Sequence, residues 1–191
     1  MNPTASTDDA HGLLLAALAA DAEGDADRSL ALLRQSVEAQ PVNPYAHHLI
    51  GAELAARGAH GDAVLHLTTA IEQGPQMHEA RLQLGLLWLT LGNLATASTV
   101  LQPLLALPAD NGLHHFGLAL CELAAGDPVA ARASLRRGLE AGTANAPLMG
   151  DMTMLLRRLE QEVPGADTEE ALRSVQHGMA ISAYAGGTTD R

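Results

Sequence analysis

The sequence predicts an all-α protein, a right-handed α-solenoid of stacked antiparallel helix pairs. One observation behind this prediction is that four glycines, Gly24, Gly58, Gly92 and Gly126, stand 34 residues apart. The other is the composition, in which Leu and Ala dominate and aromatic residues make up only 2% of 191 residues. Such a composition favours helices over strands. A fixed period of 34 residues that holds a helix, a turn and a second helix is typical of stacked helical repeats.

Four repeats can be aligned without a gap, over residues 10–43, 44–77, 78–111 and 112–145. Three columns of the alignment support it: Ala17, Gly51, Gly85 and Ala119 at the eighth position, Ser29, Ala63, Ala97 and Ala131 at the twentieth, and Leu33, Leu67, Leu101 and Leu135 at the twenty-fourth. Small residues let the two helices of a pair approach to about 8–10 Å where they cross. We expect the leucine column to fill the space between successive pairs.

These columns resemble the tetratricopeptide repeat. In that family the first helix carries a large residue, then Leu-Gly, then an aromatic residue, and the second helix carries Ala and another large residue. The matching segments are Leu84-Gly85-x-x-Trp88 with Ala97, Ile50-Gly51-x-x-Leu54 with Ala63 and Ala70, and the helix-ending prolines Pro41 and Pro75. The resemblance covers residues 10–145 and implies a scaffold whose function resides in the surface that the stack creates.

The sequence departs from the family pattern at two kinds of position. The large residue at the fourth position is replaced by His47, Arg81 and His115 in three repeats. Pro103 lies inside the second helix of the third repeat, where a proline removes a backbone donor and clashes with the preceding turn. Next to it, Leu104 takes a position that the family usually fills with a small residue. We therefore expect this helix to kink or split near Gln102.

Two further helices are predicted after the fourth repeat, within residues 146–184. An apolar stripe of helical period runs from Leu148 to Val163, and Pro164-Gly165 ends it. Asp167 and Glu170 resemble a capping box that opens a last helix, from about Thr168 to Tyr184. The pair is expected to be a degenerate fifth repeat or a cap on the stack. Residues 1–9 and 185–191 are expected to be loose termini.

In tetratricopeptide arrays the first helix of each pair lines a concave groove, so the resemblance implies a mostly apolar groove wall here. Its members in this sequence are Leu14, Leu18, Tyr45, His48, Leu82, Leu86, Leu89, Leu113, Phe116, Leu120 and Leu123. The Lys, Arg and Asn side chains with which one branch of the family holds acidic C-terminal peptides of chaperones are absent from these positions. The alternative is that the register is shifted and these leucines are core residues.

The groove implies a non-catalytic adaptor or chaperone-like scaffold that binds an apolar segment of a partner protein, as bacterial secretion chaperones with similar repeats do. A large open apolar groove is unusual on a soluble monomer, so a partner, a second copy or the C-terminal helix should cover it. Two alternatives remain open. The chain could be a sensory or regulatory subunit, or an uncharacterised enzyme, that takes a small apolar ligand, or it could assemble with itself, for example as a homodimer.

Charge and residue usage exclude several other functions. The formal net charge is −11, from 22 acids and 11 bases, which makes nucleic acid an unfavourable partner. All bases are arginine, so Schiff-base chemistry and phosphate capture by a P-loop lysine are excluded. Nothing resembles a signal peptide or a span long enough for membrane insertion, so we expect a cytoplasmic protein.

The candidate reactive residues have structural explanations. Adjacent histidines on a helix, such as His47–His48 and His114–His115, point about 100° apart and cannot easily share one ion, so we expect no metal site and no cofactor. No catalytic motif is present, and Cys121 is expected to be a small buried side chain. An arginine stripe (Arg132, Arg136, Arg137, Arg157 and Arg158) is expected to be a solvated face, or less readily a docking patch for an acidic partner.

Overall fold

The computed structural model describes residues 7–161, and the elements it contains there are helices, which confirms the all-α prediction. The α-helices are α1 (Thr7–Ala22), α2 (Ala26–Ala39), α3 (Pro44–Ala56), α4 (His60–Gln73), α5 (His78–Thr90), α6 (Leu94–Leu101), α7 (Gly112–Ala124), α8 (Pro128–Ala141) and α9 (Ala146–Gln161). A 3-10 helix, Gln102–Ala106, follows α6. The described chain divides into two compact units, one formed by α1–α4 and the other by α5–α9.

The helix pairs turn where the glycine spacing predicts. Gly24, Gly58, Gly92 and Gly126 have φ angles of 82°, 75°, 73° and 76°, in the left-handed region that only glycine enters without strain. Three of the following helices are then capped by a side chain that accepts a backbone N–H: Asp25 for α2, Asn93 for α6 and Asp127 for α8. The recurring glycine and cap therefore set the chain reversal between the helices of a pair.

In the first unit, α1 packs on α2, α3 on α4, and α2 on α3. Leu67 of α4 lies so close to Gly51 of α3 that a Cβ added at the glycine would stand 2.7 Å from the leucine Cγ. The expectation that the leucine column lies between successive pairs is therefore wrong for this pair. The leucine fills the crossing inside its own pair, because the missing Cβ of the glycine leaves room for it.

The second unit repeats this arrangement. Gly85 of α5 accommodates Leu101 of α6, whose Cδ2 would lie 2.4 Å from a Cβ at the glycine. Pro103 has the effect that we expected, because α6 ends at Leu101 and the chain continues as a 3-10 helix from Gln102. Proline is tolerated there, since it stands in the first turn of the new segment, where backbone N–H groups lack helical partners.

Leu104 is buried at the position that the family usually fills with a small residue. It packs on Gly117 of α7, where an added Cβ would stand 2.8 Å from the leucine Cβ. At the contact between the 3-10 helix and α7, the large residue therefore lies on the 3-10 helix and the small one on α7.

The ends of the array differ from the expectation at one point. α1 begins at Thr7, so residues 7–9, which we expected to be loose, are helical. α9 covers most of the predicted apolar stripe, with Leu148, Met152, Leu155 and Leu159 buried. The predicted last helix, residues 168–184, and the predicted tail lie outside the described residues.

Candidate interaction surfaces

The predicted groove residues of the second unit are core residues in the structure. Leu82, Leu86, Leu89, Phe116, Leu120 and Leu123 are buried and belong to one hydrophobic cluster with residues of α6, α8 and α9. The open apolar wall that we expected on α5 and α7 is therefore not exposed at these six positions. Their burial agrees with the alternative interpretation, in which these side chains pack in the core.

Phe116 shows why one of these side chains turns inward. A Cβ at Gly138 of α8 would stand only 2.4 Å from Cε1 of the Phe116 ring, so the ring lies directly on the glycine backbone. α8 offers no side chain at this point, and the aromatic ring fills the space that results. Leu113, the remaining predicted residue on α7, is partly buried and packs against the same cluster.

The predicted groove residues of the first unit differ in their exposure. Tyr45, at the start of α3, is 63% exposed, whereas His48, one turn later, is buried. Leu14 and Leu18 of α1 are partly buried. Tyr45 is thus the most exposed of the eleven predicted residues, and a phenol ring at a surface offers both apolar area and a hydroxyl to a partner.

His47 of α3 forms a contact with His66 of α4 that no sequence motif predicts. The two Nδ1 atoms are 3.0 Å apart and the ring centroids 5.1 Å apart. His47 Nε2 lies 3.3 Å from the carbonyl oxygen of Pro41, which can only accept. When the His47 ring is neutral and donates there, its Nδ1 accepts the hydrogen bond and His66 Nδ1–H donates it. Burial, and then the nearby His47, lower the pKa of His66. The residues are 19 positions apart on different helices, so neither helical spacing nor motif marks them.

An ionic cluster near the Gly58 turn was also not anticipated. The Arg57 guanidinium donates to Glu53, one turn earlier on α3, and to Asp27 of α2. Burial, and then the charge of Glu53, raise the pKa of Asp21 at the end of α1. Glu53 is buried, so its ion pair with Arg57 compensates for the loss of hydration. The cluster links the two helix pairs of the first unit electrostatically.

The arginine stripe is divided between two environments. Arg132 donates to the carbonyl oxygen of Leu159 at 2.9 Å, and Arg136 forms an ion pair with Glu160 at 2.6 Å, so both attach α8 to α9. Arg137, Arg157 and Arg158 are exposed. Two arginines of the stripe therefore connect α8 to α9, and the other three are exposed to solvent.

Asp151 is a buried acid on the inner side of α9. Its side chain is 5% exposed, and its Oδ2 atom has no hydrogen-bond partner among the described residues. Burial raises the pKa of this carboxyl to about 7, because the apolar surroundings disfavour the charged form. Ionisation of this buried carboxyl therefore lowers the stability of the folded protein as pH rises through about 7.

The other candidate groups in the described part of the chain are possible metal ligands and Cys121. No three His, Cys, Asp or Glu side chains within residues 7–161 come together as metal ligands. Cys121 is partly buried, and its burial raises the pKa of the thiol, which favours the unreactive protonated form. Within residues 7–161, no helix combines the length and hydropathy that crossing a bilayer requires.

Comparison with known proteins agrees with the helix-pair geometry. The profile of the tetratricopeptide repeat family matches residues 14–78, 49–102 and 82–146, which together span most of the chain. The chain belongs to the tetratricopeptide repeat family. No curated protein gives a significant match to the sequence.

Solved structures with a similar fold include two of MamA. One, described as an ArsTM double mutant of MamA RS-1, has a TM-score of 0.59 at 15% identity over 89% of this chain and 93% of that one. The other, MamA 41-end from Desulfovibrio magneticus RS-1, has a TM-score of 0.59 at 14% identity over 87% and 90%. At such low identity the likeness establishes the fold only.

Proposed function

We propose that this tetratricopeptide repeat protein is a non-catalytic adaptor that holds an apolar segment of a partner protein against the first helices of its pairs. The observation that carries the proposal is the repeat architecture itself, since the family's fold serves protein interaction. The proposal includes the division into four repeats (10–43, 44–77, 78–111 and 112–145) and a cytoplasmic setting. A chaperone-like role would follow if the segment is unfolded or aggregation-prone when free.

The exposure of each predicted groove residue determines whether its side chain is accessible to a partner protein. Tyr45 is 63% exposed, and Leu14, Leu18 and Leu113 are partly buried. Burying apolar surface yields about 25 cal/mol per Å², so one exposed aromatic side chain contributes measurably to affinity when a partner covers it. The proposed contact therefore starts at Tyr45 in the first unit.

Affinity capture from a cell extract with two matched variants tests this proposal. Tyr45 on the first helix of its pair and Leu65 on the second helix are both 63% exposed. Tyr45→Asp should therefore abolish capture of the partner protein, whereas Leu65→Asp should leave it unchanged, and both variants should melt as the wild type does. Equal capture by the two variants would refute the proposal that the partner binds on the side of the first helices. Co-purification of a small molecule in place of a protein would support the alternative of a ligand-binding regulatory subunit.

Leu86→Asp separates a groove role from a core role. Leu86 is 1% exposed, so an aspartate there would bury a charge in the hydrophobic cluster. We expect this variant to lose stability as well as capture, by several kcal/mol on the scale for an unpaired buried charge. If it instead kept the wild-type melting temperature and lost only capture, Leu86 would be a groove residue in solution.

A further inference from the structure

His47 joins three segments of the first unit through its two ring nitrogens. Its Nε2 lies 3.3 Å from the carbonyl oxygen of Pro41, in the linker between α2 and α3. The same oxygen accepts a hydrogen bond of 2.9 Å from Nε2 of Gln73, at the end of α4. The other ring nitrogen of His47, Nδ1, lies 3.0 Å from Nδ1 of His66 on α4. The contact at Pro41 therefore fixes which nitrogen of His47 faces His66.

The contact between the two rings depends on how many protons the pair carries. When both rings are neutral, one Nδ1 donates its hydrogen to the other. One added proton is compatible with the contact, because an imidazolium N–H can donate to the neutral ring opposite. A second added proton removes the acceptor, since both nitrogens of an imidazolium carry hydrogen. Two donors and two positive charges would then face each other across 3.0 Å, so the contact breaks.

The charged groups around the pair come from three helices. Burial, and then His47 of α3, lower the pKa of His66. Asp62, one turn earlier on α4, raises this pKa, and Arg34 of α2 lowers it. His47 is itself buried, at 9% exposed. Burial and Arg34 thus oppose the charging of His66, and Asp62 compensates for it only in part. The two rings are a coupled pair whose second protonation is the unfavourable one.

The second unit contains a histidine pair that serves as a matched control. The rings of His114 and His115 on α7 are also close, with centroids 4.9 Å apart, but they stand edge to face. Their Nδ1 atoms have no hydrogen-bond partner among the described residues. His115 Nε2 lies 2.8 Å from the carbonyl oxygen of Ala109, to which a neutral or a protonated ring can donate. Protonation of this pair therefore removes no hydrogen bond between two helices.

We propose that the His47–His66 contact makes the first unit acid-sensitive: when both rings are protonated the contact breaks, and α3 separates from α4 around His47. The second unit should respond differently, because protonation of the buried Asp151 on α9 favours its folded state. The part of α3 that is released carries Tyr45, so acid would change the surface at which we propose that a partner binds. That consequence rests on the proposed adaptor function, whereas the acid-sensitive contact does not.

Amide hydrogen exchange of the full chain, without a partner, tests the proposal. Exchange is measured at about pH 7.5 and at about pH 5, on either side of the pKa of an unperturbed histidine. Each rate is divided by the intrinsic rate at that pH, so that only protection is compared. Acid should lower the protection of α3 and α4 but not that of α7 and α8. His66→Gln and His47→Gln should both reduce this loss, because glutamine carries no charge, and His115→Gln should behave as the wild type does.

An unchanged protection of α3 and α4 in acid, or an equal loss in α7 and α8, would overturn the proposal. So would a His47→Gln variant that loses protection as the wild type does, because the burial of His66 alone would then be the cause. Long-range ¹⁵N–¹H NMR spectra of the wild type show which ring nitrogens carry hydrogen at each pH. Protection of α3 and α4 must fall only where both rings are protonated, and a loss while one ring is still neutral would contradict the account. This measurement needs no variant, so it decides the question even if a variant does not fold.

Discussion

Leu104 occupies the space that Gly117 leaves free. The effect of Gly117→Ala on stability should therefore change sign when the side chain of Leu104 is removed. Gly117→Ala adds a Cβ that would stand 2.8 Å from the Leu104 Cβ, a distance that side-chain movement at the tip of the leucine cannot relieve. Overpacking of this kind costs about 1–3 kcal/mol. Replacing a helical glycine by alanine returns about 1 kcal/mol through helix propensity. The single variant should therefore be destabilised by up to about 2 kcal/mol.

The effect should reverse when the leucine is removed. Leu104→Gly alone should cost at least as much as a leucine-to-alanine change, about 2–5 kcal/mol, because it leaves a cavity in the core. In that background the Cβ of residue 104 is gone as well, so Gly117→Ala keeps only its gain in helix propensity and the double variant should be more stable than Leu104→Gly by about 1 kcal/mol. Gly12→Ala is the matched control, since Gly12 is helical and an added Cβ there meets nothing within 4 Å.

Urea unfolding measures the free energy of unfolding of each protein. The wild type, the two single variants and the double variant form a double-mutant cycle, and Gly12→Ala is the reference. Gly12→Ala should stabilise the protein by about 1 kcal/mol. If Gly117→Ala stabilises the wild type as much as the control does, or destabilises both backgrounds equally, Leu104 and Gly117 do not pack as described.

Three further predictions concern single groups. Asp151→Asn should stabilise the protein above pH 7, by up to about 4 kcal/mol, because the raised pKa of about 7 makes ionisation costly in the folded state; the gain should vanish as pH falls towards 4 in melting experiments, and a pH-independent gain would contradict this origin. His66→Gln should flatten the loss of stability below pH 6.5, because the lowered pKa of His66 means that the folded state binds fewer protons than the unfolded state; an unchanged pH slope would exclude His66 as its source. Pro103→Ala should lower the free energy of unfolding by about 1 kcal/mol or less, because proline suits the first turn of the 3-10 helix and restricts the unfolded chain; a clear rise in melting temperature would instead reveal strain.

The repeat period predicted the helix pairs because the turn glycines have a conformational requirement that no other residue meets easily. Gly58 and Gly92 both have positive φ angles, and a side chain there would be strained. The break at Pro103 was predictable for a similar reason, since the constraint is local and belongs to the backbone. Constraints that one residue imposes on its own chain can be read from sequence.

Contacts between helices were less predictable. Leu67 and Leu101 pack inside their own pairs, and Phe116 packs on Gly138, because each contact depends on the absence of a side chain on a different helix. The His47–His66 contact joins residues that share no motif. The family register indicates which face of a helix carries a residue, but burial depends on what packs on that face, and this varies along the array.

The adaptor proposal depends most directly on which side of the first unit a partner protein touches. A photo-crosslinking amino acid placed at Tyr45 or at Leu65 reports this side, because the two positions lie on the first and the second helix of one pair and are both 63% exposed. After irradiation in cells, the account predicts that position 45 crosslinks to one dominant protein and position 65 does not. Crosslinking from position 65 alone, or equal labelling of many proteins from both positions, would contradict it.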